Sequence, residues 1–172
     1  MLLTTRTFPP LPLIDAVSKF FAGAALLLYA VIATAERPPK FDDSSLSGSY
    51  ALVGAGGQHV AASVGIATFN GEGSANRTLI LNEPDPSGAG RITLRVAGEG
   101  QYSVGVNGMG TATYVTRFPD GREFTFDFDF VITQARRAGG SGVMLATRLH
   151  MVQRETGVAA PLVQFQLNRL HD

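Results

Sequence analysis

The stretch EFTFDFDFVI, residues 123–132, alternates between two kinds of side chain. Phe124, Phe126, Phe128, Phe130 and Ile132 share one parity, and Thr125, Asp127, Asp129 and Val131 share the other. A period of two marks a β-strand with one buried and one wetted face. If the phenylalanines point inward, the aspartates are solvated surface. If the aspartates point inward, they are candidates for a polar site or for the lumen of a membrane barrel.

The neighbouring sequence favours the first choice. In 143–151 the apolar parity is Val143, Leu145, Leu149 and Met151, against Arg148 and His150. In 91–96 it is Ile92, Leu94 and Val96, against Arg91, Thr93 and Arg95; in 163–167 it is Val163, Phe165 and Leu167, against Gln164 and Gln166. A hairpin through ARRAGGSG (135–142) predicts Phe126 opposite Leu149 and Phe130 opposite Leu145. It also predicts Asp127 opposite Arg148 and Thr125 opposite His150. That register makes one face wholly apolar and the other complementary in charge. Against an outer-membrane barrel, the chain has no Trp and only 4 Tyr to build interfacial girdles.

Strands are expected throughout the second part of the chain, near 48–54, 60–69, 74–82, 91–106, 109–117, 122–133, 142–153 and 161–170. Asn70-Gly71, Asn107-Gly108 and Asp120-Gly121 reach positive φ cheaply, as tight hairpins require. Gly98 and Gly100 are expected to bend the long fourth strand. The predicted fold is all-β: a single antiparallel, roughly eight-stranded closed β-barrel, which also removes free sheet edges.

Before the barrel, residues 20–36 form an uncharged apolar run up to Glu36, with Ala33-Thr34-Ala35 as a small-x-small cleavage pattern and Arg6 and Lys19 upstream. The run is shorter than the roughly 20 apolar residues that span a bilayer comfortably. It therefore reads as the helix of a signal peptide over 1–35, followed by a linker over 36–45 and a barrel domain over 46–172. The expectation is a secreted or periplasmic protein with no stable membrane insertion after signal cleavage.

Composition excludes several functions. The chain of 172 residues has 14 Lys plus Arg, 14 Asp plus Glu and no Cys. Zero net charge and the lack of a basic stripe argue against nucleic acid, and the missing thiols exclude Cys catalysis and disulfides. No metal or cofactor is expected. His59, His150 and His171 follow no ligand spacing, Asp127 and Asp129 lack a third ligand, and Gly54–Gly57 is followed by neither helix nor Lys. No catalytic set stands out, and an oligomer is left open.

The segments LSGSYALVG, GIATFNGEG, GQYSVGVNGMGTATY and FTFDFDFVIT, within about 46–170, resemble exported bacterial small barrels. Their architecture is similar to the calycin group, the lipocalins and allene oxide cyclase-like barrels. Gly48-Ser49-Tyr50 stands where a lipocalin carries Gly-x-Trp. The resemblance implies a lumen that holds an apolar small molecule. Tyr50, Tyr102, Tyr114, Phe126, Phe128, Leu145, Leu149 and Phe165 are the candidate lining residues. The alternatives are a cyclase or isomerase using the same cavity, and a packed structural or interaction barrel without ligand, since eight strands are near the size that side chains alone fill.

Overall fold

In a computed structural model, residues 40–56, 61–139, 142–154 and 163–170 are described, and the expected signal helix lies outside them. Eight antiparallel strands close into a barrel in sequence order: β1 (Ser47–Gly56), β2 (Ala61–Asn70), β3 (Ser74–Pro84), β4 (Arg91–Val104), β5 (Met109–Arg117), β6 (Glu123–Arg137), β7 (Met144–Gln153) and β8 (Val163–Arg169). The turns follow their residues. Gly71, Gly108 and Gly121 all take positive φ, and the Asn70 side chain accepts from the Glu72 and Ser74 amides at 2.8 and 2.9 Å. An Asx side chain that bonds the backbone two residues on makes such hairpins self-contained.

The alternation read in β6 holds. Phe128 and Phe130 are buried, Phe126 is half-buried, and all three belong to the inner layer. The partners do not hold. Phe130 pairs with Met151, six residues further along β7 than the expected Leu145, and Ile132 rather than Phe126 pairs with Leu149. The cause lies in Ala135-Arg136-Arg137, which carries no turn chemistry and continues the strand, so the turn falls later, ahead of Gly142 with its positive φ. A slip by an even number of residues leaves each side chain on its own face. From Phe126 to Ile132 on β6 and from Leu149 to Met151 on β7, inside and outside were therefore assigned correctly despite the wrong register.

The charge pairs change with it. Asp127 accepts from the Thr113 hydroxyl at 2.6 Å, Asp129 pairs with Arg154, and Arg148 donates to Asn168 at 2.9 Å. His150 faces Val131 and Gln166 instead of Thr125. The Asp129–Arg154 pair is half exposed, so water screens it and it contributes little to stability. Between Ile132 and Ala135 the register shifts twice, leaving Thr133 on β6 and Thr147 on β7 without partners in the ladder. These facing bulges reverse parity on both strands. Ala146 therefore enters the core, and Leu145, expected in the lumen, lies half-buried opposite Arg136.

Inside, small residues face large ones. Gly54 pairs with Phe165, Gly65 with Leu79, Gly98 with Arg77, Gly100 with Tyr114 and Gly110 with Phe130. A Cβ on any of the five would lie within 3.4 Å of its partner's side chain. Gly98 and Gly100 thus serve close packing, and β4 runs unbroken from Arg91 to Val104. A narrow barrel can bury large inward side chains only if their cross-strand neighbours are small.

Candidate functional site

The two ends of the lumen differ. At the end where β1 begins, residues 40–45, expected within a linker, pack against the barrel instead. Lys40 forms a bridge with Val143, and Phe41 packs on the core beside the Gly108 turn. A short 3-10 turn (Asp43–Ser45) follows, capped by Asp42. The Asp43 carboxylate accepts from the Val104 amide at 2.7 Å, and Tyr102 donates to the carbonyls of Asp43 and Leu46 at 2.9 and 2.8 Å. The Tyr50 hydroxyl donates to the Ala146 carbonyl at 2.9 Å and accepts from Arg169 at 3.3 Å. Edge-to-face contacts join Tyr50 to Phe69 and Phe69 to Tyr102. This end is filled. Tyr50 and Tyr102, expected as ligand handles, hold it shut, and Leu149 is part of the same core.

The other half of the lumen contains the feature that the sequence reading missed. Arg77 on β3 shares inward parity with Ala75, Leu79 and Leu81, and only 6% of it is exposed. Its Nη2 donates to the Thr116 hydroxyl at 2.7 Å, while its Nε is buried with no hydrogen-bond partner. Among the described residues it meets no carboxylate. The guanidinium carbon lies 4.3 Å from the Tyr114 ring centre, 5.2 Å from that of Phe128 and 5.8 Å from that of Phe126. Such faces offset only part of the cost of removing a cation from water. Loss of water lowers its pKa to about 10, against the pull of Tyr114, so Arg77 remains a cation at neutral pH. The signal was available: ANRTLIL places Arg77 on the parity of Leu79 and Leu81.

Aromatic rings lead outward from this cation. Phe128 touches Tyr114 and Phe165, and Phe126, Phe124 and Phe118 form a chain of contacts toward the β5–β6 turn. Phe124 is 43% exposed. Leu81, Leu94 and Val163 are half-buried against the same core. Ser63 and Gln153 add buried polar groups on inward positions. Of the expected lining residues, Tyr114, Phe126, Phe128 and Phe165 gather here.

Burial also raises the Tyr114 phenol to about 12, although Arg77 pulls it down. The folded value exceeds the unfolded one of 10.0, so this contribution to stability is present below about pH 10 and lost as the pH rises toward about 12. Arg77 acts in the opposite sense over the same range, because its folded value is the lower one. Spectrophotometric titration of the native protein should show a phenolate step near pH 12 that Tyr114→Phe removes. A Tyr114 step near pH 10 would show that the ring is hydrated.

Comparison with protein-family models, with curated proteins and with solved structures gave no match to this chain.

Proposed function

We propose that the barrel binds a small amphiphilic anion, an apolar body carrying one acidic group, at the end of the lumen where Phe124, Phe126, Leu81, Leu94 and Val163 are accessible. The observation that carries this reading is Arg77: a buried cation with no counter-charge among the described residues, its Nε unsatisfied, at the inner end of an aromatic path. A carboxylate brought to the guanidinium supplies both the missing charge and the missing acceptor, and charge-assisted bonds of this kind are the strong ones. The rings and leucines take the apolar body, whose burial contributes about 25 cal/mol per Å². With the apolar run and Ala33-Thr34-Ala35 ahead of the barrel, we further propose an exported binding protein of calycin-like architecture.

Calorimetry with decanoate and decanol tests this reading, because the two differ in charge while sharing a chain length. The protein should bind decanoate more tightly by about tenfold or more, equivalent to about 1.4 kcal/mol. Arg77→Met should erase the preference and stabilise the empty barrel by about 1–4 kcal/mol, as apolar replacement of buried charge commonly does. Equal affinity for the two ligands in the unmodified protein, or no binding of either, would overturn the proposal.

A further inference from the structure

The outer wall of the barrel is not uniform. On β4, β5 and β6 the outward positions carry Arg95, Glu99, Arg117 and Asp127. On β8, β1, β2 and β3 no outward position among the described residues carries a charge. Along β1 the outward row is Ser47, Ser49, Ala51, Val53 and Ala55, all short side chains. β2 and β3 add Val64, Ile66 and Ile80. Val53, Val64 and Ile66 are each about half exposed. The registers set Ile80, Val64 and Val53 side by side across three strands, followed by Gln166 on β8 and His150 on β7. On that side of β1 the wall is hollow. Val53, Val131, His150, Val152, Gln164 and Gln166 line a groove of about 530 Å³. β1 thus separates an aliphatic ridge from a groove.

Aliphatic side chains gathered on adjacent strands mark a surface that is covered in use. A lipid-facing wall would carry aromatic girdles at its edges, whereas the outward residues of these four strands are aliphatic, Ser, Thr, Asn or Gln. Two features select a second copy of the chain. In a two-fold pair each residue on the axis meets itself, so a charge there would meet its like. The outward row of β1 has none and is small enough to admit close approach. The whole chain also has zero net charge, so two copies do not repel each other at a distance.

We propose that two copies pair through this wall about a two-fold axis running along β1. The rotation lays β2 of each copy over β8 of the other, so the ridge of Val64 and Ile66 enters the groove of the partner subunit. With strands about 4.8 Å apart and residues rising about 3.3 Å, four strands over about nine residues offer roughly 570 Å² per copy. A pair then buries roughly 1,100 Å², just above the 1,000 Å² or so expected of a specific interface. An area at that lower end fits a reversible dimer. Arg77 points into the lumen, away from this wall, so the pairing is separate from ligand binding.

Sedimentation velocity of the purified protein from about 5 to 500 µM tests the pairing. The apparent mass should rise toward twice that of the monomer, with a Kd of about 100 µM or tighter. Val53→Glu, at an exposed position on the axis, should weaken pairing by about tenfold or more, as should Val53→Lys, because each sets like charges together. An equimolar mixture of the two variants should pair again, which also shows that both are folded. Val115→Glu, on the outer wall of β5, should leave pairing unchanged. A protein that stays monomeric at the highest concentration, a Val53→Glu variant that pairs as before, or a mixture that does not recover would each overturn the proposal. Flotation of such a monomer with phosphatidylcholine vesicles would assign the wall to a lipid surface instead. Methyl NOEs from Val64 to residues 20–36 would assign it to the chain's own apolar run.

Discussion

Phe128→Ala is expected to destabilise the barrel by about 3–5 kcal/mol, the usual range for deleting a buried phenylalanine ring. Phe128 is 2% exposed and occupies the middle of the inner layer. Its ring meets Tyr114 at 6.1 Å and Phe165 at 5.6 Å and supplies one of the aromatic faces around Arg77. Truncation removes apolar burial and leaves the guanidinium a further step short of compensation, so the cost should reach the upper part of the range. Urea unfolding measures it. A loss below about 1 kcal/mol would mean that the lumen has space into which its neighbours relax. In that case the truncated protein should also bind decanoate with altered affinity.

Gly65→Ala should cost about 3 kcal/mol or more, at or beyond the upper end of ordinary overpacking. An added methyl would lie 2.1 Å from the Thr78 carbonyl oxygen and 3.0 Å from the Leu79 Cα, both parts of the neighbouring strand's backbone. No rotamer change relieves such a clash, so trimming Leu79 should not rescue the variant. Gly54→Ala provides the contrast. Its obstacles are the Phe165 ring at 2.2 Å and the Ser63 hydroxyl at 2.7 Å, both side chains. Phe165→Leu should recover part of its loss. Thermal unfolding of the four variants decides the matter, and equal rescue at both sites would show that the glycines are not there to admit neighbouring backbone.

The barrel was legible because its signal is repeated in every strand. FTFDFDF, RITLRV and VQFQL each carry the period of two, and Gly71, Gly108 and Gly121 each take the positive φ that their dipeptides suggest. The β6–β7 partners were not legible, because alternation records which face a residue is on and not which residue lies across from it. Only the turn position and the bulges fix the partner. Leu145 was misplaced for the same reason: an unpaired Thr147 leaves no mark in the sequence but reverses every side chain before it on the strand. Arg77 was overlooked through its charge, since an arginine is read as surface by default. Its parity and the glycine facing it on β4 both pointed inward. The packing role of Gly98 and Gly100 was not legible, because a single strand shows a missing side chain without showing the large one that fills its space.

Closure in sequence order has a kinetic side. Seven of the eight strand seams join neighbours along the chain and can form as local hairpins, while the eighth, between β1 and β8, brings Tyr50 to Arg169 across nearly the whole domain. Local pairings form early because little chain entropy is lost in making them, and a distant pairing is rewarded only once the rest is in place. The barrel is thus expected to grow as an open meander and to zip along β1–β8 last. Tyr50, bonded to Ala146 and lying under the Arg169 guanidinium, secures that final seam. Interactions made after the transition state govern how fast a protein opens rather than how fast it forms. The residues that fasten β8 to β1 therefore set the lifetime of the folded barrel.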